Sequence, residues 1–130
     1  MFENDEFRKA RLAILIAFLI NGFSVGNFVS RIPDFKYELD ISNGVLGAAL
    51  FCASIGVLTA LRPTSRAAAK YGSGPVVRLS AFTLALAVPF VGFLFNLPWF
   101  LFSLFIYGVL SSIHDLSINA HAAALENKAG

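Results

Sequence analysis

Three stretches of this chain, 12–29, 45–61 and 79–97, carry no Asp, Glu, Lys or Arg, and a fourth runs apolar from Trp99 until it meets Asp115. A helix rises about 1.5 Å per residue, so the first stretch alone reaches about 27 Å, close to the thickness of a bilayer core. A soluble chain of 130 residues with 57% hydrophobic and 14% charged residues, fourteen of them Phe, has too little polar surface to cover such runs. The sequence therefore reads as an all-α integral membrane protein of four transmembrane helices. The spans are set at 11–31, 43–62, 77–97 and 99–124, with a cytoplasmic loop at 62–78, in one membrane domain over 1–130. The last span has to include the polar stretch, because Trp99 to Ile113 falls short of the roughly 20 residues a crossing takes.

Basic residues precede the first run at Arg8, Lys9 and Arg11, a pattern shared with signal peptides. The apolar run is long, and no small-x-small cleavage site follows it, so it reads as a retained span. The same cations orient the chain. With Arg62, Arg66, Lys70 and Arg78 between spans two and three, and Lys128 after span four, they fall on one side. The other side holds Arg31 and Lys36, offset by Asp34, Glu38 and Asp40. The positive-inside rule then places both termini in the cytoplasm of a cell with a plasma or inner membrane. Cations that follow topology so closely are poor grounds for nucleic-acid binding.

Local punctuation agrees with four helices. Pro33 is expected to end the first, Asp40 or Ser42 to cap the second, and Pro98 to open the fourth with Trp99 at interface depth. The segment "RPTSRAAAKYGSGPVVR" reads as a long inner loop, rich in cations and helix breakers. Cys52 lies within an apolar run and reads as a small hydrophobe.

Two helices carry polar residues that lipid does not explain. Helix one has Asn21, Ser24 and Asn27 at threefold spacing, and Gly22 and Gly26 at the fourfold spacing of a close helix-packing surface. The amides either bond across helices or line a polar cavity. Helix four places His114 and His121 on nearly one bearing, with Asp115 and Asn119 on a second stripe roughly 120° away. A carboxylate mid-span costs roughly 2.5–3.5 kcal/mol, so this face should turn toward protein or water. Asn21, Asn27, His114, Asp115, Asn119 and His121 are the candidates for a substrate or polar-cavity role; helix packing alone is the other reading of them. No closed ligand set for a metal is present, and no phosphate loop, nucleophile elbow or zinc-protease motif. No catalytic residue, metal or cofactor is expected.

Several motifs together resemble the first third of a major facilitator superfamily transporter, nearest its bacterial sugar-permease-like branch. The loop "RIPDFKYELDISNGVLGAAL" is similar to that branch's Arg-Ile-Pro-Asp start, followed by Leu39, Ser42, Leu46 and Gly47. "DLSINAHAAALE" resembles its Asp-x-x-Met-Asn-Ala-Gln pattern at Asp115, Asn119 and Ala120, with Ile118 for the Met and His121 for the amide. The inner loop stands where the superfamily carries Gly-x-Leu-x-Asp-Arg-x-Gly-Arg-Arg. Lys70, Gly72 and Ser73 fit; Ser65, Ala69 and Gly74-Pro75 depart from it.

The resemblance implies transport of a small solute, proton coupling with Asp115 as participant, and a gating role for the loop through Arg66, Lys70 and Gly72. It also implies twelve helices in two halves with the substrate site between them. Four helices supply one wall of that pathway, so the expectation is a truncated or split chain whose partners are the bilayer, an unidentified small molecule, and the remainder of the transporter as a second chain. Two other readings stand beside it. One is a self-contained four-helix exporter acting as a dimer, although such exporters work through a carboxylate in their first helix. The other is a membrane protein that transports nothing.

Overall fold

The computed structural model of the protein describes residues 2–93 and 96–130. Five helices follow one another: α1 (Phe2–Ser30), α2 (Ile32–Glu38), α3 (Asn43–Tyr71), α4 (Ser73–Gly92) and α5 (Leu97–Ala129). Four of them are long and apolar enough to cross a membrane, with α2 continuing from α1. The expected end of the third span takes in 94 and 95, which lie outside the described residues.

The caps follow local chemistry. Ser42 Oγ accepts from the Val45 amide at 3.2 Å, which starts α3 and leaves Asp40 without the capping role. Asp40 instead takes a positive φ of 49° in the turn before it, a conformation Asp tolerates better than most residues. Asn96 Oδ1 accepts from the Trp99 amide at 2.8 Å, with Pro98 in the first turn of α5, as the sequence suggests. Pro33 does more than end a helix. The chain bends at Arg31, and Pro33 sits in the first turn of α2, where its missing N–H breaks no bond.

The stretch 62–78, expected as a loop, is helical apart from Gly72. Ala67, Ala68 and Ala69 favour the helix strongly enough to carry it past Arg62, Pro63 and Arg66. The chain reverses at Gly72, whose φ of 85° and ψ of 158° are open essentially to glycine only. At 29 residues α3 is about 43 Å long, well beyond a bilayer core of roughly 30 Å. A helical end can therefore stand outside the membrane and still carry the cations of this segment.

Helix α5 is the centre of the bundle and packs on α3, α4 and α1. Its contact with α3 is backbone to backbone. A Cβ on Gly108 would overlap the carbonyl of Ala53, and one on Gly56 would overlap the carbonyl of Phe105. The sequence suggested this kind of approach at Gly22 and Gly26, but among the described residues no neighbouring atom comes within 4 Å of a Cβ at either. The reason is burial: α1 leans on the bundle through Ala17 and Ser24, so the two glycines face outward. Around α5 the core consists of Phe35, Ala49, Leu84, Ala87, Val91, Phe100, Leu104 and Tyr107. Phe28 stacks on Tyr107 with ring centroids 4.7 Å apart, and Phe35 meets Phe100 at 5.3 Å.

Candidate functional site

Asp115 lies near the middle of α5, about 27 Å along the helix from Leu97 and about 21 Å from Ala129. It is exposed on the surface of the bundle, beside α1. The Asn21 amide donates to its Oδ1 at 3.2 Å, joining the two helices. Asn119, one turn further along α5, is also exposed and donates from Nδ2 to the Asp115 carbonyl at 2.9 Å. Asn21 Oδ1 is buried and accepts no hydrogen bond among the described residues. Three of the candidate residues are thus brought together as one strip, running across α1 and along α5.

The carboxylate meets the Asn21 amide there and, among the described residues, forms no ion pair. The one ion pair among the described residues is Lys9 with Glu6, 3.4 Å apart at the exposed start of α1. Exposure in the middle of a membrane-length helix is the costly arrangement for a carboxylate unless water or further protein lies against it.

The histidines are placed elsewhere. His114 is fully buried between three helices. Its Nδ1 lies 3.0 Å from Ser80 Oγ on α4, and its Nε2 lies 3.2 Å from the Ala17 carbonyl on α1. His121 is half-buried, with Nδ1 2.8 Å from Ser73 Oγ at the start of α4. Asn27 lines a narrow cavity of about 10 Å³ near the far end of α1, with Phe28, Arg31, Phe35, Val88, Val91 and Tyr107. That is about the space of one water molecule. Arg31 there lies over the Phe35 ring, 5.5 Å from its centroid. The histidines thus have bonding partners other than those of the Asn21–Asp115–Asn119 strip, and Asn27 lies further along α1.

Of the gating candidates, Arg66 and Lys70 are exposed, Lys70 with its ammonium 5.1 Å from the Tyr71 ring centroid, and Gly72 forms the reversal between α3 and α4. Ser73 and His121 hold this junction against the end of α5. Phe7 and Arg11 face Leu125 and Glu126 across a groove. The start of α1, the α3–α4 junction and the end of α5 therefore share one end of the bundle, and eight of the ten Lys and Arg residues belong to those segments.

Sequence reasoning missed Ser73, Ser80, Ser24 and Tyr107 as partners of polar residues on the neighbouring helices. Ser24 Oγ and Tyr107 Oη are 3.3 Å apart, both buried. The signal was present as a seven-residue spacing, since 107, 114 and 121 repeat on α5 as 73 and 80 do on α4.

The chain is 24% identical over 117 residues to an uncharacterized transporter of Sinorhizobium fredii, covering 90% of this chain and 31% of that protein. It is 26% identical over 115 residues to an uncharacterized MFS-type transporter of Yersinia pestis, covering 88% of this chain and 30% of that protein. The chain is related to major facilitator transporters. It spans about three-tenths of the length of these relatives. No protein-family model matches it, and no solved structure matches it significantly.

Proposed function

We propose that this chain forms part of the transport path of a major facilitator secondary transporter, with Asn21, Asp115 and Asn119 on the wall that meets a small polar solute. The observation that carries this reading is the exposure of Asp115 at mid-helix, bonded to an amide of α1 and to no cation. A carboxylate so placed needs a polar environment, and its position between two helices of the bundle makes that environment a path and not a packed core. Four helices supply one face, so further helices from the remainder of a transporter close the path, whether on the same chain or a second one. The membrane is a plasma or inner membrane, with the cationic end of the bundle in the cytoplasm, as the charge bias favours. A self-contained four-helix dimer is the less favoured arrangement, because α1 carries amides where such exporters use a carboxylate.

Thiol labelling in membranes tests this. With Cys52 replaced by Ala, Asp115→Cys and Asn119→Cys should each react with a small, charged, membrane-impermeant reagent in the assembled protein, while Phe82→Cys on the apolar face of α4 should not. Complete protection at both 115 and 119 would leave the strip as packing only.

A further inference from the structure

Buried and half-buried polar side chains between α1, α4 and α5 form a ladder. On α5, Tyr107, His114 and His121 recur every seven residues. Seven residues turn a helix almost twice, to within about 20° of the starting bearing, so the three share one edge. Opposite them on α4, Ser80 pairs with His114 and Ser73 with His121, seven residues apart in the reverse direction, each through the ring Nδ1. On α1, the Ala17 carbonyl pairs with His114 and Ser24 with Tyr107, again seven apart and reversed. Helix α5 is thus bonded in antiparallel register to α1 and α4 along the same edge.

His114 is the rung where all three helices meet. The Ala17 carbonyl can only accept, so Nε2 carries a proton and donates to it, while Nδ1 bonds Ser80 Oγ, whose hydroxyl also lies 2.9 Å from the Val77 carbonyl. Both ring nitrogens are used, in a site with no exposure. A ring fixed at two points fixes the rotation of the backbone beneath it, and the next residue is Asp115, about 100° around the helix.

We infer that His114 is a positioning residue: it sets the rotation of α5 against α1 and so aims Asp115 at Asn21. Its importance to function rests on the reading of Asp115 as a path residue, but the geometry it controls does not. The Asn21–Asp115 bond is a single contact at 3.2 Å with its carboxylate exposed, whereas the ladder ties the same two helices through buried groups.

A cross-linking experiment on the whole chain in membranes separates the two. In a Cys52→Ala background, Asn21→Cys with Asp115→Cys removes the side-chain bond itself, leaving the ladder to hold the positions opposite each other. A short bifunctional thiol reagent should join them efficiently. Adding His114→Ala should lower the yield by about fivefold or more, the scale of losing one to two net hydrogen bonds. His114→Gln, which reaches the Nε2 position and can donate to Ala17, should restore most of it. A control pair on the α3–α5 contact, Val57→Cys with Ser112→Cys, should cross-link equally in all three.

An unchanged 21–115 yield in His114→Ala overturns the inference, and so does equal loss at the control pair, which marks general unfolding. If His114→Ala does not accumulate, Ser80→Ala removes one rung partner and keeps the ring; an unchanged yield there overturns it equally. The readout does not depend on water access. Failure here leaves the path reading standing, and protection of 115 and 119 from labelling leaves the ladder standing.

Discussion

Gly56 and Gly108 show how one residue sets the distance between helices. With hydrogen in place of Cβ, each lets the facing backbone come into contact, and van der Waals packing replaces the hydrophobic effect that lipid does not provide. Gly108→Ala should destabilise the bundle by about 1–3 kcal/mol, the cost of forcing an overpacked site apart. Gly22→Ala and Gly26→Ala, where a Cβ meets open space, should be neutral or stabilising by up to about 1 kcal/mol through helix propensity. Thermal unfolding of the purified chain in detergent orders the three variants; equal loss at Gly22 and Gly108 would contradict the packing described. The G-x-x-x-G spacing on α1 was legible in the sequence, yet which glycines meet a neighbour was not. Spacing defines a face, and only the packing of the other helices decides whether that face is covered.

At the scale of the element, Gly72 decides where α3 stops. The preceding Ala-Ala-Ala-Lys-Tyr stretch has helix propensity enough to continue, and charge alone does not end a helix that can leave the bilayer. Gly72→Ala should cost about 1–3 kcal/mol, since its φ and ψ lie where a side chain is strained. Gly47→Ala, within the regular part of α3, should not lower stability. Comparing the melting temperatures of the two variants checks this. The segment's breakers, Pro63, Gly72 and Gly74-Pro75, read from sequence as a loop because they are counted together. In the structure Pro63 is absorbed within α3, and Pro75 falls in the opening turn of α4, where its missing N–H breaks no bond, so one glycine is left to make the turn.

At the scale of the whole molecule, the cations gather at one end and a polar strip crosses the middle. The charge distribution gives an orientation that can be measured. A reporter active only outside the cytoplasm should stay silent when fused after Gly130 and become active when inserted in the turn at Asp40. The opposite pattern would invert the bundle. Helix α5 joins both features, with one edge bonded to α1 and α4 and the adjacent edge presenting Asp115 and Asn119.

The sequence by itself determined that the chain crosses a bilayer four times, which way its charges bias it, and that Asp115, Asn119 and the histidines share the last span. These follow from length, hydropathy and charge counted along the chain, and none depends on contacts between helices. Tertiary structure alone decided how those polar residues divide. His114 and His121 lie on the edge of α5 that Ser80, Ser73 and the Ala17 carbonyl complete, so their hydrogen bonds run between helices. Asp115 and Asn119 lie on the edge where Asn21 bonds the carboxylate, and both are exposed. Helical spacing puts all four on one helix, but a side chain's role depends on what the neighbouring helices bring to it, and that is a property of packing across distances of up to 97 residues in the chain.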